Sequence, residues 1–466
     1  MSEQKYEGKW KIPNTEELQE GILFVNLEKG FLRLKLFVMY EAGFGLAEGI
    51  KTICSIIQGN LIGNNKITLV DNTVISRHEY LGSYTEVVFD VKWAVWGVHY
   101  QSEDEIRYKK YSVDMDGILN WSGLCHFRME DFKNYKWDKE ENVQLKMSEN
   151  LKTTFIPMCK GGKRTSLIEK NLQLEQYIKI DFEYDNETCL TDFIKDYKKM
   201  EMLISIGVGT IPLIRKMYFC DRENTTFTNY EPREIYTGDK PYSDGYEEYG
   251  FKMLFRLNDL TCGEAIKRWN EIIYKMEPVI NLYFSILRYH DFPIEMQYLN
   301  IVQALETYHA RFKYNNLKKY REHVLSIFNC KTIDDIEENH REAYYGTTQS
   351  DKNISYIILK SRIVDLMNDD FKFRLSPLYT KGMIISLYDF IEKVADTRHY
   401  YTHYGENKEE KAFKELDLQY AIAVLMEVFE YHFLTELGLG NAGTVDTIYR
   451  KHERLNCWYI QRCEIL

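Results

Sequence analysis

Phe31-Leu32-Arg33-Leu34-Lys35-Leu36-Phe37-Val38 carries a period of two. Leu32, Leu34, Leu36 and Val38 fall on one pleated face and Arg33 and Lys35 on the other, which predicts a half-buried β-strand. Similar β-rich runs occupy residues 66–70, 85–100, 106–115, 143–147, 172–184 and 251–257. Turn material lies between them at Gly63-Asn64-Asn65, Asp116-Gly117, Lys160-Gly161-Gly162 and Asp244-Gly245. Many short strands joined in this way predict an antiparallel sandwich or barrel-like domain, with residues 191–205 as an embedded helix.

From about Thr261 the period becomes helical. Ala265, Trp269, Ile272 and Ile273 open one amphipathic segment, which Pro278 is expected to break or kink because proline cannot donate the required hydrogen bond. Pro293 suits a first helical turn and is followed at helical spacing by Met296, Leu299, Val302, Leu305, His309 and Phe312. Further helices are expected over residues 353–367, 381–401 and 416–437, with Gly438 as the cap of the last. Ala421, Val424, Leu425, Val428 and Phe429 make that last helix apolar on most sides, so it belongs at the centre of a bundle. The fold class is α+β in two domains: residues 1–260 β-rich, residues 261–466 all-α.

A chain of 466 residues exceeds one ordinary core, and 44% hydrophobic with 14% aromatic side chains and eight prolines describes a globular protein. Nine cysteines are scattered without a C-x-x-C pair, which suits a reducing compartment and argues against a disulfide framework or structural zinc. The first residues are polar and no stretch reaches about 18 uncharged apolar residues, so a cytoplasmic protein without a membrane anchor is expected. A formal charge of −11 opposes a broad nucleic-acid-coating surface but leaves room for a small basic site. Gly161-Gly162-Lys163-Arg164-Thr165 is no phosphate loop, because Pro157 stands where the first glycine is required and Arg164 where the hydroxyl residue belongs.

The chemistry concentrates in Val394-Ala395-Asp396-Thr397-Arg398-His399-Tyr400-Tyr401-Thr402-His403-Tyr404-Gly405. Arg398 offers a guanidinium that can hold a phosphate by two hydrogen bonds, and His403 an imidazole that moves a proton near neutral pH. Their spacing resembles the R-x4-H signature of the HEPN superfamily of ribonucleases. The opening Gly8-Lys9-Trp10-Lys11-Ile12-Pro13-Asn14, then Glu20-Gly21-Ile22-Leu23 leading into residues 31–36, resembles the start of the N-terminal domain of the ApeA family of bacterial anti-phage proteins. Met296-Gln297-Tyr298-Leu299-Asn300-Ile301-Val302-Gln303-Ala304-Leu305-Glu306 is similar to the first core helix of that family's HEPN domain. The resemblance implies an RNase that acts in abortive infection as a homodimer; because the motif is confined to one domain and an unregulated RNase would poison its own cell, the β-rich domain is expected to sense an infection signal, such as a phage-derived trigger, or to restrain the helical half.

Five helix positions place Arg398 and His403 about 140° apart, so they are not natural same-face neighbours. Either the helix ends or distorts before Gly405, or the arginine reaches around, or a second subunit completes the site. Cleavage through the 2′-hydroxyl needs a base and an acid together, and a single His403 cannot hold both protonation states; two copies across a twofold axis can. His399 matches the polar residue that often follows the arginine in HEPN proteins and is expected to orient the site or bind phosphate. His399 and His403, four apart, also have a metal-binding spacing, but no third ligand is fixed among Asp396 and Glu406, and no metal or other cofactor is expected. Asp396 and Glu306 are candidate carboxylates for orienting His403 or Arg398, Glu306 being equally readable as a solvated charge. Tyr400, Tyr401 and Tyr404 are candidates for stacking bases, with core packing expected for at least one. Arg311, Lys318, Lys319 and Arg321, interleaved with aromatics, suit an RNA backbone or an ordinary solvated helix surface. The competing function is a non-catalytic HEPN module that binds nucleotide, RNA or a protein partner.

Overall fold

Alternation in the sequence becomes a closed cylinder. The structure, a computed structural model, describes residues 3–13, 17–26, 31–39, 50–63, 65–80, 83–129, 135–137, 142–160, 174–219, 233–237, 253–288, 292–345, 356–367, 375–440, 444 and 447–448. By its internal contacts the chain divides into two units, Met1–Ser205 with Ile211–Glu248, and Ile206–Thr210 with Tyr249–Leu466.

In the first unit, strands β1 (Gln4–Lys11), β2 (Gln19–Asn26), β3 (Phe31–Met39), β4 (Ile53–Leu61), β5 (Lys66–Tyr80) and β6 (Tyr84–Trp96) lie in the order β6-β3-β2-β1-β4-β5. Because β5 also pairs with β6, the strands close into an antiparallel barrel without a free edge. Leu34 of β3 stands opposite Leu23 of β2 and Phe89 of β6, and all three are fully buried. Leu32, Leu36 and Val38 join the same interior with Trp10, Ile57 and Leu69. Trp10 dictates one glycine: a Cβ on Gly59 would sit 2.3 Å from its ring.

The sheet continues beyond β6 through β14 (Arg233–Thr237), β13 (Leu213–Phe219), β7 (Arg107–Asp116), β12 (Glu175–Cys189) and β11 (Leu151–Lys160) to β10 (Val143–Lys146). A short helix α1 (Leu119–Ser122) follows β7, and β8 (Phe127–Met129) pairs with β9 (Tyr135–Trp137). The embedded helix is α2 (Leu190–Val208), whose Phe193 stacks on Tyr111 of β7 at 4.1 Å and meets Phe182 of β12 edge-on. Gly63 and Gly117 adopt positive φ at the turns read from the sequence, while Asn64, Gly161, Gly162, Asp244 and Gly245 lie outside the described residues. The expected strand over residues 251–257 is a correction. Among its described residues, Met253, Leu254 and Phe255 are buried in irregular chain and Leu257 opens the helix α3 (Leu257–Leu260). A short apolar run reports burial, not backbone type.

The second unit is helical. Helix α4 (Glu264–Arg288) passes unbroken through Pro278, so of the break or kink expected there the break does not occur. Met276, Val279, Ile280, Tyr283 and Phe284 are all buried around the proline, and their packing offsets the cost of one missing hydrogen bond. Helix α5 (Ile294–Tyr308) starts after Pro293 and runs into a π-helical turn, His309–Lys313. Then follow α6 (Leu317–Phe328), α7 (Glu338–Tyr345), α8 (Leu359–Leu366), α9 (Ser376–Thr380), α10 (Leu387–His403), α11 (Glu406–Glu409) and α12 (Glu415–Glu436). As expected, α12 is buried nearly all round, packs on α4 and α5, and is followed by Gly438 at φ 75°.

Candidate active site

Helix α10 owes its start to Ser386, whose hydroxyl accepts from the Asp389 amide at 3.0 Å. It ends at Tyr404, which turns left-handed at φ 50° and returns its amide to the Tyr400 carbonyl. Phe390, Ile391, Val394 and Thr397 form the buried side. Buried Tyr298 of α5 donates its hydroxyl to the Val394 carbonyl at 2.7 Å, and burial pushes that phenol well above its usual range. Thr397 donates to the Lys393 carbonyl and accepts from the Phe413 amide at 2.9 Å; Tyr401 donates to the Phe413 carbonyl at 3.0 Å. The end of α10 is therefore clamped from one side by α5 and from the other by the segment entering α12.

That clamp decides what faces water. Arg398, His399, Thr402 and His403 are all exposed, and helical geometry puts them within one arc of about 140°. Both motif residues lie inside regular helix, which ends only at Tyr404. The Arg398 guanidinium donates to Glu306 of α5 at 3.4 Å, with the side chains 44% and 32% exposed, so the pair is worth less than about 1 kcal/mol and a phosphate can displace it. His399 and His403 face each other with ring centroids 4.9 Å apart.

The remaining candidates divide. Asp396 is buried and accepts from Lys408 of α11 at 2.5 Å, so its carboxylate fixes the turn after α10 and is not bonded to His403 or Arg398. Tyr401 is held by the Phe413 carbonyl, with its phenol pushed up to about 12 by burial and the nearby Glu295 charge. Tyr404 is 65% exposed and Tyr400 half-buried beside it, their rings 5.5 Å apart. Arg311 donates to the Lys275 carbonyl at 3.1 Å from the π-helical turn. Lys318 and Lys319 stand exposed in the first turn of α6 and Arg321 is half-buried; none of these four cations pairs with a residue of α10.

The models of two known families cover most of this chain: residues 5–269 match ApeA N-terminal domain 1 and residues 299–442 match Apea-like HEPN. The chain belongs to the ApeA family. The two matches bear out the resemblance at the level of the two domains; the second spans most of α5 and the whole of α10, with Arg398 and His403 inside its range. HEPN domains are typically ribonuclease-like and generally act as RNA-binding dimers, and ApeA membership points to a nuclease-type role in anti-phage defence. No curated protein and no solved structure matches the chain. No helix among the described residues is long and apolar enough to cross a membrane.

A second polar cluster in the HEPN domain escaped the sequence reading. His309, in the π-helical turn, and His323 of α6 each contact one oxygen of Asp365 on α8, at 2.9 and 2.8 Å, and Arg362 donates to the other nitrogen of His309 at 3.1 Å. A guanidinium only donates, so His309 Nδ1 accepts and its Nε2–H donates to Asp365. Burial lowers the pKa of His309; burial would raise the Asp365 carboxyl, but hydrogen bonds from the two imidazoles outweigh it and hold it below its usual value. Periodicity marks His309 as inward-facing, but nothing local joins it to positions 14 to 56 residues away.

Proposed function

We propose that this ApeA-family protein is a metal-independent endoribonuclease that acts as a homodimer in abortive infection. The observation that carries the reading is the exposed pair of Arg398 and His403 on a clamped helix end inside the HEPN domain. One copy of His403 removes the 2′-hydroxyl proton, the other protonates the departing 5′-oxygen, and the two Arg398 side chains stabilise the crowded phosphate. Phosphate takes the place of Glu306 at Arg398. His399 supports the same arc, and Tyr400 and Tyr404 offer faces for bases beside the cleaved linkage. The β-rich domain senses a phage-derived trigger and restrains the nuclease, since an unregulated RNase would poison its own cell; cleavage and toxicity equal in the full chain and in an isolated HEPN segment would argue against restraint.

The test is to incubate purified full-length wild type and His403→Ala with total cellular RNA in chelator and to map the new ends. Wild type alone is expected to leave 2′,3′-cyclic phosphate and 5′-hydroxyl termini. Equal cutting by the variant, or cutting that disappears in chelator, overturns the proposal. The Arg398–Glu306 pair favours one other reading, in which Arg398 is a structural ion-pair partner of a non-catalytic RNA-, nucleotide- or protein-binding module; there, Arg398→Ala and His403→Ala leave function intact.

A further inference from the structure

His399 and His403 have a second capacity, independent of proton transfer. They lie one helical turn apart, separated by about 40° around the axis and about 6 Å along it, with ring planes at 57° and centroids 4.9 Å apart. Both side chains are exposed, and no hydrogen bond or ion pair among the described residues occupies either ring. The backbone carrying them is fixed, because the Thr402 hydroxyl donates to the Arg398 carbonyl at 2.7 Å and Tyr404 closes the last turn. Two free imidazole nitrogens on a rigid scaffold, one turn apart, are a chelating pair.

We propose that His399 and His403 form a two-ligand site for a divalent transition-metal ion of the Zn2+ class, and that occupancy switches off His403 as a proton carrier. The second half rests on the nuclease reading; the first does not. Neutral imidazole suits Zn2+, Ni2+ and Cu2+, at a metal–nitrogen distance near 2.0–2.1 Å for zinc, whereas Mg2+ and Ca2+ require oxygen ligands. The site sits at the C-terminus of a 17-residue helix, where the unsatisfied carbonyls favour positive charge. Arg398 opposes a dication, but Glu306 lies against it and compensates its charge. Asp396 is engaged by Lys408, and no group of three metal-capable side chains forms among the described residues, so the other coordination positions fall to water. Such a site exchanges its ion readily. A metal held through the His403 lone pair leaves that nitrogen unable to accept or deliver a proton, so the ion inhibits and a chelator activates.

Calorimetric titration of chelator-stripped full-length protein with ZnCl2 tests the site. Wild type is expected to bind an equivalent of Zn2+ per chain that His399→Gln and His403→Gln each weaken at least about tenfold, as loss of a ligand should cost no less than loss of an outer-shell partner. His399→Cys, under reductant, retains it because a thiolate replaces the imidazole, and Mg2+ gives no such binding. Unchanged Zn2+ binding in both Gln variants overturns the site. Wild-type RNA cleavage is expected to fall as Zn2+ reaches stoichiometry and to return with chelator; cleavage indifferent to the bound ion overturns the inhibitory role. Zn2+ binding that depends on both histidines in a protein that cuts no RNA leaves the site standing and sinks the nuclease reading.

Discussion

Two pairs of histidines in the helical unit receive opposite treatment. His309 and His323 share the carboxylate of Asp365, and Arg362 completes the cluster from the other side of His309. His399 and His403 stand in water with only each other for company. In the first pair hydrogen bonding engages both nitrogens of His309 and Nε2 of His323, so the imidazoles fix the junction of α5, α6 and α8. In the second the nitrogens stay available, because the structural work on α10 is done from below by Tyr298, Thr397 and Tyr401. On the proposed reading, chemistry and stability are carried by different side chains of the same type, and substitutions should separate them.

The largest expected effect breaks the exposed pair. His403→Ala should reduce RNA cleavage by about 10²–10⁴-fold while the denaturation midpoint stays within the roughly ±0.5 kcal/mol of a surface change. A cleavage assay and a melt on the same preparation check this; a large loss of stability would mean that His403 is structural. The converse substitution, Asp365→Ala, should cost about 1–3 kcal/mol by leaving the buried Nε2–H of His309 without its acceptor. Urea denaturation would show it, and a change below about 1 kcal/mol would remove the buried cluster from the account.

Acid sharpens the comparison. Burial lowers the pKa of His309 and drops that of His432, held by the Leu366 carbonyl, to about 4. Both remain neutral in the fold while the unfolded chain binds protons near pH 6.5, so stability is complete above about pH 6.5 and falls as the pH drops. His432 alone removes about 3 kcal/mol by pH 4, and Asp365, still ionised in that window, gives nothing back there. Denaturation midpoints flat between pH 7 and 4.5 would contradict this. In the barrel, Gly59→Ala should cost about 1–3 kcal/mol through its clash with Trp10. The smallest effect is Ser386→Ala, about 1 kcal/mol from the lost cap of α10, measurable as a shift in the same melt.

The legible parts of this fold are those in which one periodicity persists. The alternation around Leu34 predicts β3 and its buried face, and the helical spacing of Ala421, Val424, Leu425 and Val428 predicts α12 at the bundle centre. Legibility fails where a local signal has two outcomes. Pro278 is tolerated because its neighbours pack, and residues 253–257 are buried without being extended. In the site, the R-x4-H pair could be read directly, whereas the fate of Asp396 could not, since Lys408 approaches it from a helix beyond the turn.

The sequence by itself determined the two-part architecture and the family and displayed the R-x4-H spacing of Arg398 and His403, because periodicity and motif spacing are local properties of a chain. Tertiary structure alone decided that the barrel closes, that Glu306 meets Arg398, that Asp365 joins two distant histidines, and that His399 and His403 are left unpartnered. Each depends on which elements become neighbours, and long-range packing, more than local spacing, sets that.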